Sequence, residues 1–262
     1  RHISVKGGRF LEAVAKADTI VFDKTGTLTN AAPTVAKVVP FGGQNEAEML
    51  RLAACLEEHY PHSMANAVVA EAKRRGLTHE EYHSQVQYVV AHGISSMVEE
   101  KKVIIGSAHF VFEDEGCRIP EGEQGKFDAL PAEYSHLYLC MDGVLAAVIC
   151  IHDPLRREAR EAVKALHESG FTNVVMMTGD NRRTAEAVAA EVGVDAVYAE
   201  VLPADKASFI RSEKEKGHTV IMVGDGVNDS PALSEADAGI AISTGAAIAR
   251  EIADITVASE DL

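Results

Sequence analysis

Residues Asp23–Thr29 read Asp-Lys-Thr-Gly-Thr-Leu-Thr, and they follow the apolar run Thr19–Phe22. The run predicts a buried parallel strand, which places Asp23 at the carboxyl end of that strand. Ligands bind at this edge in open α/β sheets. The glycine and hydroxyl-bearing residues after Asp23 can surround a phosphate with backbone N–H groups and side-chain donors. A carboxylate held there beside a cation can attack a phosphoryl group and form an aspartyl phosphate.

The composition narrows the class of protein. A formal net charge of −15 over 262 residues argues against a nucleic-acid partner, because a phosphate backbone requires a basic surface. The longest apolar stretch, Val144–Ile151, is too short to cross a bilayer, and no signal peptide opens the chain. The cysteines form no Cys-x-x-Cys pair, so we expect reduced, packed residues of a cytosolic protein. They are Cys55, Cys117, Cys140 and Cys150.

The C-terminal part of the chain predicts a parallel sheet. Short apolar runs there end in Gly/Asp clusters and are followed by helical patterns, as at Asn173–Met177 and Thr219–Val223. Residues 239–243 and 255–258 are two further predicted strands. Ala185, Val188, Ala189 and Val192 recur at helical spacing. This alternation of strands and helices is typical of a doubly wound parallel sheet.

The middle of the chain predicts an antiparallel sheet with two helices. The sequence favours strands over 87–99 and 103–113, joined at the charged residues 100–102, and a hairpin at Asp142-Gly143 between strands 137–141 and 144–151. Helices are predicted over 46–56 and 63–75, with Ser63 as N-cap and Gly76 as C-cap, and a loop over 114–131. We therefore expect a discontinuous parallel domain, residues 1–36 and 151–262, interrupted by a domain over residues 37–150.

Four segments besides 23–29 resemble motifs of the P-type ATPases. In sequence order they are Asp-Pro-Leu-Arg at 153–156, Thr-Gly-Asp-Asn at 178–181, Leu-Pro-Ala-Asp-Lys at 202–206 and Gly-Asp-Gly-Val-Asn-Asp at 224–229. The resemblance implies an α/β fold: a haloacid dehalogenase-like doubly wound parallel sheet, the phosphorylation domain. An α+β antiparallel-sheet nucleotide-binding domain is inserted into it.

The resemblance also implies a role for each matching residue. Asp23 is the expected phosphorylated residue, and Mg²⁺ is expected on Asp23, the Thr25 carbonyl and Asp225. The catalytic set is completed by Lys206, Thr178 and Asp229, with Asp229 organising the metal site instead of binding the ion. The residues expected around the transferred phosphate are Lys24, Thr25, Gly26, Thr27, Thr178, Gly179, Asp180, Lys206 and Asn228.

Thr25 separates two classes of enzyme. Phosphatases with a haloacid dehalogenase-like core usually carry a second Asp two residues after the nucleophile, as a general acid/base. Here that position is Thr25. Without the second carboxylate, hydrolysis should be slow and a phosphoenzyme should persist, which suits a transport cycle.

The inserted domain resembles the heavy-metal branch of the family. That branch binds adenine with a Glu, a His-Pro pair five residues later, a Gly-x-Gly and a Gly-Asn. The matching residues are Glu57, His62, Gly93 and Gly106, while Ser63, Ala91 and Ser107 depart from the pattern. Two alternatives stay open: His59 as the adenine contact in place of His62, and Gly93 as a strand bulge.

The resemblance implies ATP as phosphoryl donor, with adenine on the inserted domain and the γ-phosphate at Asp23. It implies the cytoplasmic part of a prokaryotic integral membrane pump, whose transmembrane and actuator domains belong to the same polypeptide. The segment 3–12 resembles the exit from a membrane helix. The heavy-metal cation is expected to bind elsewhere in the pump, and its identity is not determined. A free-standing phosphatase or phosphotransferase and a nucleotide-sensing module are the alternatives.

Overall fold

The structure is a computed structural model that describes residues 2–30, 32–59, 62–77, 83–89, 93–98, 100–226, 229–242 and 251–258. Two compact units divide the chain. The first comprises Arg1–Ala31 and Pro154–Leu262, and the second comprises Ala32–Asp153.

The helices and strands follow one another in this order: β1 (His2–Val5), α1 (Gly8–Lys16), β2 (Thr19–Asp23), β3 (Thr34–Pro40), α2 (Glu46–Glu57), α3 (Ser63–Arg74), β4 (His83–Val89), β5 (Gly93–Val98), β6 (Lys101–Gly106), α4 (Gln124–Asp128), β7 (Ser135–Met141), β8 (Val144–His152), α5 (Ala159–Glu168), β9 (Asn173–Met177), α6 (Arg182–Val192), β10 (Ala196–Tyr198), α7 (Pro203–Glu215), β11 (Val220–Gly224), α8 (Ser230–Glu235), β12 (Ala238–Ile242) and β13 (Ile255–Ala258).

The first unit is built on a seven-stranded sheet in the order β1-β13-β12-β11-β2-β9-β10. All neighbouring strands are parallel except β1, which pairs antiparallel with β13 at one edge. From β2 the chain passes to β9 and β10 on one side, then crosses to β11 on the other. Such a reversal creates a crevice at the carboxyl ends of the two central strands. Those strands are β2 and β11.

Helices cover both faces of this sheet, which confirms the doubly wound fold. Ile20 and Phe22 of β2 pack with residues of α5 and α6, while Val21 packs on the other face with residues of α7 and α8. Every residue of β2 is buried. A strand covered on both faces requires a continuous apolar run, and Thr19–Phe22 supplies one.

The second unit is a six-stranded antiparallel sheet in the order β3-β8-β7-β6-β5-β4. Helices α2 and α3 contribute to the core on one face, and the segment 108–130 contributes to the core on the other. Asp142 and Gly143 connect β7 to β8 with φ values of 47° and 77°, as a type I′ turn requires. The predicted hairpin is confirmed.

Several predicted elements of the second unit are wrong in detail. Residues 87–99 are not one strand, since β4 and β5 are separate antiparallel partners. The strand predicted to continue to 113 ends at Gly106, because the chain turns at His109–Asp114 and buries Phe110 and Val111 in the core. The loop predicted over 114–131 contains α4.

Helix α3 also differs from expectation at its start. Its N-cap is His62 and not Ser63, and the His62 side chain accepts from the backbone N–H of Ala65. Gly76 has a φ of 68° and directly follows the C-cap residue Arg75.

The chain passes from one unit to the other at residues that differ from those predicted. Strand β3 pairs with β8 from Thr34 opposite His152 onward, so both ends of the insertion belong to the antiparallel sheet. The boundaries therefore lie at 31/32 and 153/154, where the sequence suggested 36/37 and 150/151. The four cysteines are free and buried, as expected. Within the described ranges, no helix is long and apolar enough to cross a membrane.

Gly93 offers a test of packing in the second unit. It pairs in regular register with Gly106, so it is not a strand bulge. A Cβ at Gly93 would lie 2.4 Å from the Ile105 carbonyl oxygen and 2.4 Å from the Phe110 ring. We expect Gly93→Ala to lower the free energy of unfolding by about 1–3 kcal/mol, measured by urea denaturation.

Gly125→Ala is the matched control, because a Cβ there meets nothing within 4 Å. It should leave the unfolding midpoint unchanged or raise it slightly, since alanine favours the helix. Equal midpoints for the two variants would contradict the packing role of Gly93.

Candidate active site

The candidate site is assembled at the carboxyl ends of three neighbouring strands. Asp23 is the last residue of β2, Thr178 follows β9 and Asp225 follows β11. Strand β2 pairs with both of the others, so three loops distant in sequence reach one edge of the sheet. The structure thus brings together the motifs that the sequence placed about 200 residues apart.

Lys206 joins two of the predicted carboxylates. Its Nζ lies 2.7 Å from Asp23 Oδ1 and 2.8 Å from Asp229 Oδ1, and all three side chains are buried. Lys206 reaches the site from the first turn of α7, where Pro203 is the first residue and the Leu202 N–H donates to the Asp205 carboxylate. Proline is suited to the first turn because its missing N–H has no helical partner there.

Burial and charge act on this cluster in opposite directions. Burial raises the pKa of Asp23 to about 7, although Lys206 lowers it; Asp229 and Asp225 add to the rise. Burial by itself would lower the pKa of Lys206, but the Asp23 and Asp229 carboxylates outweigh it and raise that pKa above its usual value. Lys206 therefore stays charged, and its ammonium group contacts the two carboxylates of Asp23 and Asp229.

The residues fit a hard divalent cation. Asp229 Oδ2 is buried and has no hydrogen-bond partner among the described residues. A Cβ at Gly224 would lie 2.5 Å from that oxygen, so a glycine is required for Asp229 to take this position. No three His, Cys, Asp or Glu side chains of the described ranges converge on one point as a ligand cage. Magnesium needs no such cage, because it binds one or two carboxylates and keeps water or phosphate as its other ligands.

The turn after Asp23 is closed by its own side chains. Gly26 has a φ of 76°, a left-handed conformation that glycine adopts without strain. Its N–H donates to the hydroxyl of Thr29 at 2.9 Å. Thr27 is fully buried, and its hydroxyl has no hydrogen-bond partner within the described part of the chain. The conformation of Gly26 and its hydrogen bond to Thr29 therefore fix the shape of this turn.

Lys24 and Asp180, both predicted at the phosphate, are paired with each other. Lys24 Nζ lies 2.5 Å from Asp180 Oδ2, and both side chains are buried. The Thr178 hydroxyl donates to the same carboxylate at 3.1 Å and accepts from the Asp180 N–H at 3.1 Å. The ion pair thus ties the turn after β2 to the loop after β9, which also contains Gly179.

Sequence reasoning missed the part played by Arg156. Its Nε donates to the Thr27 carbonyl at 2.7 Å, and its N–H donates to the Leu28 carbonyl at 2.8 Å. Thr29 and Leu155 form an antiparallel bridge beside these bonds. The signal is present in Asp-Pro-Leu-Arg at 153–156, a motif to which the resemblance assigned no site residue. Asn228 lies outside the described residues.

The predicted nucleotide residues lie in the second unit. His62 Nε2 lies 3.2 Å from Glu57 Oε2, and Glu57 is buried. Ser63 is the first residue of α3, so it occupies a position that favours proline without requiring it.

Gly93 and Gly106 are cross-strand partners. The Ser107 hydroxyl accepts from the Phe110 N–H at 3.3 Å, and His59 is exposed. Ala91 is outside the described residues.

Comparison with known proteins agrees with this arrangement. The family model "haloacid dehalogenase-like hydrolase" matches residues 17–237. A copper-exporting P-type ATPase of Bacillus subtilis is 39% identical over 99% of this chain and 32% of its own length. A silver exporting P-type ATPase of Salmonella typhimurium is 38% identical over 99% of this chain and 32% of its own length. The chain thus spans about a third of the curated relatives it matches.

Solved structures give the same result. The catalytic domain of the CPx-ATPase CopB-B matches with a TM-score of 0.78 and 26% identity, covering 99% of this chain and 91% of that one. A zinc-transporting PIB-type ATPase in the E2.Pi state matches with a TM-score of 0.58 and 33% identity, covering 98% of this chain and 41% of that one.

The Lys206 cluster predicts a measurable loss of stability. Lys206→Met leaves Asp23 and Asp229 buried without their cation, so we expect the free energy of unfolding of the first unit to fall by about 3–5 kcal/mol. Adding Asp229→Asn removes one of the two unpaired buried charges and should restore part of that loss. Both values are measured by urea denaturation.

Lys164→Met is the control, because Lys164 of α5 and its partner Glu168 are both exposed. It should change the unfolding midpoint little. A double variant less stable than Lys206→Met would contradict the electrostatic explanation.

Proposed function

The chain belongs to the haloacid dehalogenase-like hydrolase family, and on that premise we propose that it is the ATP-binding and autophosphorylating part of a heavy-metal P-type ATPase. The observation that carries this proposal is the buried cluster of Asp23, Lys206 and Asp229 at the end of β2, with a threonine at position 25. Asp23 is the nucleophile, and the product is an aspartyl phosphate.

The first unit supplies the groups that phosphoryl transfer requires. An oxygen of the Asp23 carboxylate attacks the γ-phosphorus of ATP, the bond from that phosphorus to the bridging oxygen breaks, and ADP leaves. Lys206 contributes fixed positive charge, and Thr178 with the backbone donors of the 24–28 turn contacts the phosphoryl oxygens. Mg²⁺ held by Asp23, the Thr25 carbonyl and Asp225 would supply further positive charge against the developing negative charge.

Thr25 favours the pump over a free-standing phosphatase. A phosphatase requires a group that activates water after the acyl phosphate has formed. A threonine hydroxyl is a poor general base, so the acyl phosphate should persist long enough to drive other events. The large second unit also fits a nucleotide donor better than a small phosphate ester.

The second unit would bind the adenine of ATP. The proposed residues are Glu57, His62, Gly93 and Gly106. Ser63 leaves the start of α3 intact, so its departure from the family motif does not weaken this assignment. A sensor that binds nucleotide without transferring phosphate is the weaker alternative, because it has no need of the buried Lys206 cluster.

Ion transport would belong to the longer protein. Transmembrane and actuator domains of the same polypeptide would complete the pump, with this part on the cytoplasmic side of a prokaryotic membrane. Several relatives are copper or silver exporters, so we propose a soft metal such as copper(I) as the transported ion. Formation and hydrolysis of the aspartyl phosphate would then open the ion site to alternate sides of the membrane.

Phosphorylation is the first test of this function. Incubating the full-length pump with γ-labelled ATP, Mg²⁺ and copper(I) should label the protein, and hydroxylamine should release the label because it cleaves acyl phosphates. We expect Asp23→Asn to abolish labelling, because an amide oxygen is a poor nucleophile. Removing Mg²⁺ with a chelator should do the same.

Asp225→Asn is expected to weaken labelling and to raise the Mg²⁺ concentration that labelling requires. Asp205→Asn, an exposed position of α7, is the control and should be labelled normally. Label that resists hydroxylamine or survives in Asp23→Asn would refute the proposed nucleophile. Labelling that requires Mg²⁺ but does not respond to any heavy-metal ion would refute the transport assignment.

Nucleotide binding is tested separately by calorimetry with a non-hydrolysable ATP analogue. His62→Ala should weaken binding about tenfold or more, because an aromatic side chain that stacks on a base contributes about 1–3 kcal/mol. His59→Ala should change the affinity less than twofold. The reverse order would show that His59 is the adenine contact.

A further inference from the structure

Three non-glycine residues in the described part of the chain have a left-handed backbone. Glu100 and Asp142 connect the antiparallel pairs β5–β6 and β7–β8, where tight turns require a positive φ. Glu200 has a φ of 57° but follows β10, which pairs parallel with β9, so no hairpin turn accounts for it. A residue with a Cβ disfavours this conformation, and it persists only where the surrounding structure imposes it.

Glu200 is the extra residue of a bulge beside the end of β9. The Thr178 N–H donates to the Tyr198 carbonyl at 3.0 Å, which continues the parallel pairing of β9 with β10. In a regular parallel ladder, the Thr178 carbonyl would then accept from the N–H of residue 200. It accepts instead from the N–H of Val201 at 3.1 Å, and the Glu200 N–H donates to the Asp180 carbonyl at 2.9 Å. A bulge of this kind often needs a left-handed residue, usually a glycine.

The bulge joins two segments that both deliver side chains to the proposed phosphate site. On one side lies the loop that contains Thr178 and Asp180, and the Asp180 carboxylate pairs with Lys24. On the other side the chain enters α7, which carries Lys206 to Asp23. The hydrogen bonds of the bulge therefore tie the loop after β9 to the helix that supplies the buried cation.

The bulge also sets where α7 begins. In a regular ladder the Leu202 N–H would bond to the Asp180 carbonyl, but the Glu200 N–H supplies that bond. The Leu202 N–H donates instead to the Asp205 carboxylate at 3.3 Å, at the N-cap of α7. Lys206 is the fourth residue of this helix, so the start of the helix decides where the Lys206 side chain enters the site.

We infer that Glu200 is a positioning residue whose left-handed backbone fixes the Thr178 loop relative to Lys206. This inference rests on the proposed function for the reaction that the joint serves. The Glu200 carboxylate is half-buried and forms no hydrogen bond or ion pair with another described residue. The backbone therefore performs the task, and the side chain matters only through its tolerance of a positive φ.

The joint is tested first in the 262-residue chain without nucleotide. Glu200→Gly should leave the urea midpoint of the first unit unchanged or raise it, because glycine adopts a positive φ without strain. Glu200→Val should lower the midpoint, because a β-branched residue is strained at this φ. Amide hydrogen exchange at Val201 should be faster in Glu200→Val and close to wild type in Glu200→Gly, since the bond from Val201 to Thr178 depends on the bulge.

Glu215→Val is the matched control, because it makes the same replacement at the exposed last residue of α7. It should change neither the midpoint nor the exchange at Val201 appreciably. Equal midpoints and equal exchange rates in Glu200→Val and Glu200→Gly would overturn the inference.

Phosphorylation of the full-length pump tests what the joint does for the reaction. Glu200→Val should lower the maximal rate of labelling about tenfold or more, because a small misplacement of reacting groups costs rate steeply. The ATP concentration for half-maximal rate should change less than twofold, since the proposed nucleotide residues lie in the second unit. Glu200→Asn should be labelled at close to the wild-type rate, because asparagine tolerates a positive φ.

Glu200→Gln separates the backbone from the carboxylate, because it keeps the shape of the side chain and removes its charge. We expect labelling at close to the wild-type rate. A rate as low as that of Glu200→Val would show that the carboxylate itself acts, and a wild-type rate in Glu200→Val would show that the joint is dispensable; either result overturns the inference. If the wild-type pump is not labelled at Asp23, the proposed function fails, while exchange at Val201 still decides whether Glu200 forms the joint.

Discussion

The proposed phosphoryl-transfer site depends on one buried ammonium group, that of Lys206. Its bonds to Asp23 and Asp229 hold together side chains from β2, α7 and the loop after β11. Removing carboxylates from water is costly, and a lysine between two of them offsets part of that cost. The offset is incomplete, because burial first, and then the charges of Asp229 and Asp225, keep the pKa of Asp23 raised to about 7. The remaining negative charge is what makes the site suited to a divalent cation.

The parallel sheet fixes the positions of these charged groups. Three parallel strands deliver Asp23, Thr178 and Asp225 to the same edge, and both faces of the sheet are packed by helices. The Lys24–Asp180 ion pair and the Arg156 hydrogen bonds then hold the turn after β2. If Asp23 is the nucleophile as proposed, a carboxylate held in this way would need little rearrangement on the way to the transition state, which is the main source of catalysis in phosphoryl transfer.

In the second unit, two of the predicted nucleotide residues also have structural roles. His62 Nδ1 accepts from the backbone N–H of Ala65, and its Nε2 lies 3.2 Å from the buried Glu57 carboxylate. Gly93 serves packing: it leaves room for the Phe110 ring and the Ile105 carbonyl. In both units, a side chain that sequence motifs assign to a ligand also has a structural task.

The sequence by itself determined the local chemistry: the apolar strand before Asp23, the Asp-Gly hairpin at 142–143, the helical repeat of α6, and the order of the phosphoryl-transfer motifs. These features depend on backbone preference and on neighbours a few residues apart, so a single chain reveals them. The tertiary structure decided what depends on distant partners. Because β3 pairs with β8, the boundaries of the insertion differ from those predicted from the sequence. Strand β6 ends before Phe110, and the Phe110 ring packs in the core of the second unit. The tertiary structure also pairs Lys24 with Asp180 and bonds Arg156 to the Thr27 carbonyl. The sequence could not predict these contacts, because partners 129 to 156 residues apart leave no local pattern.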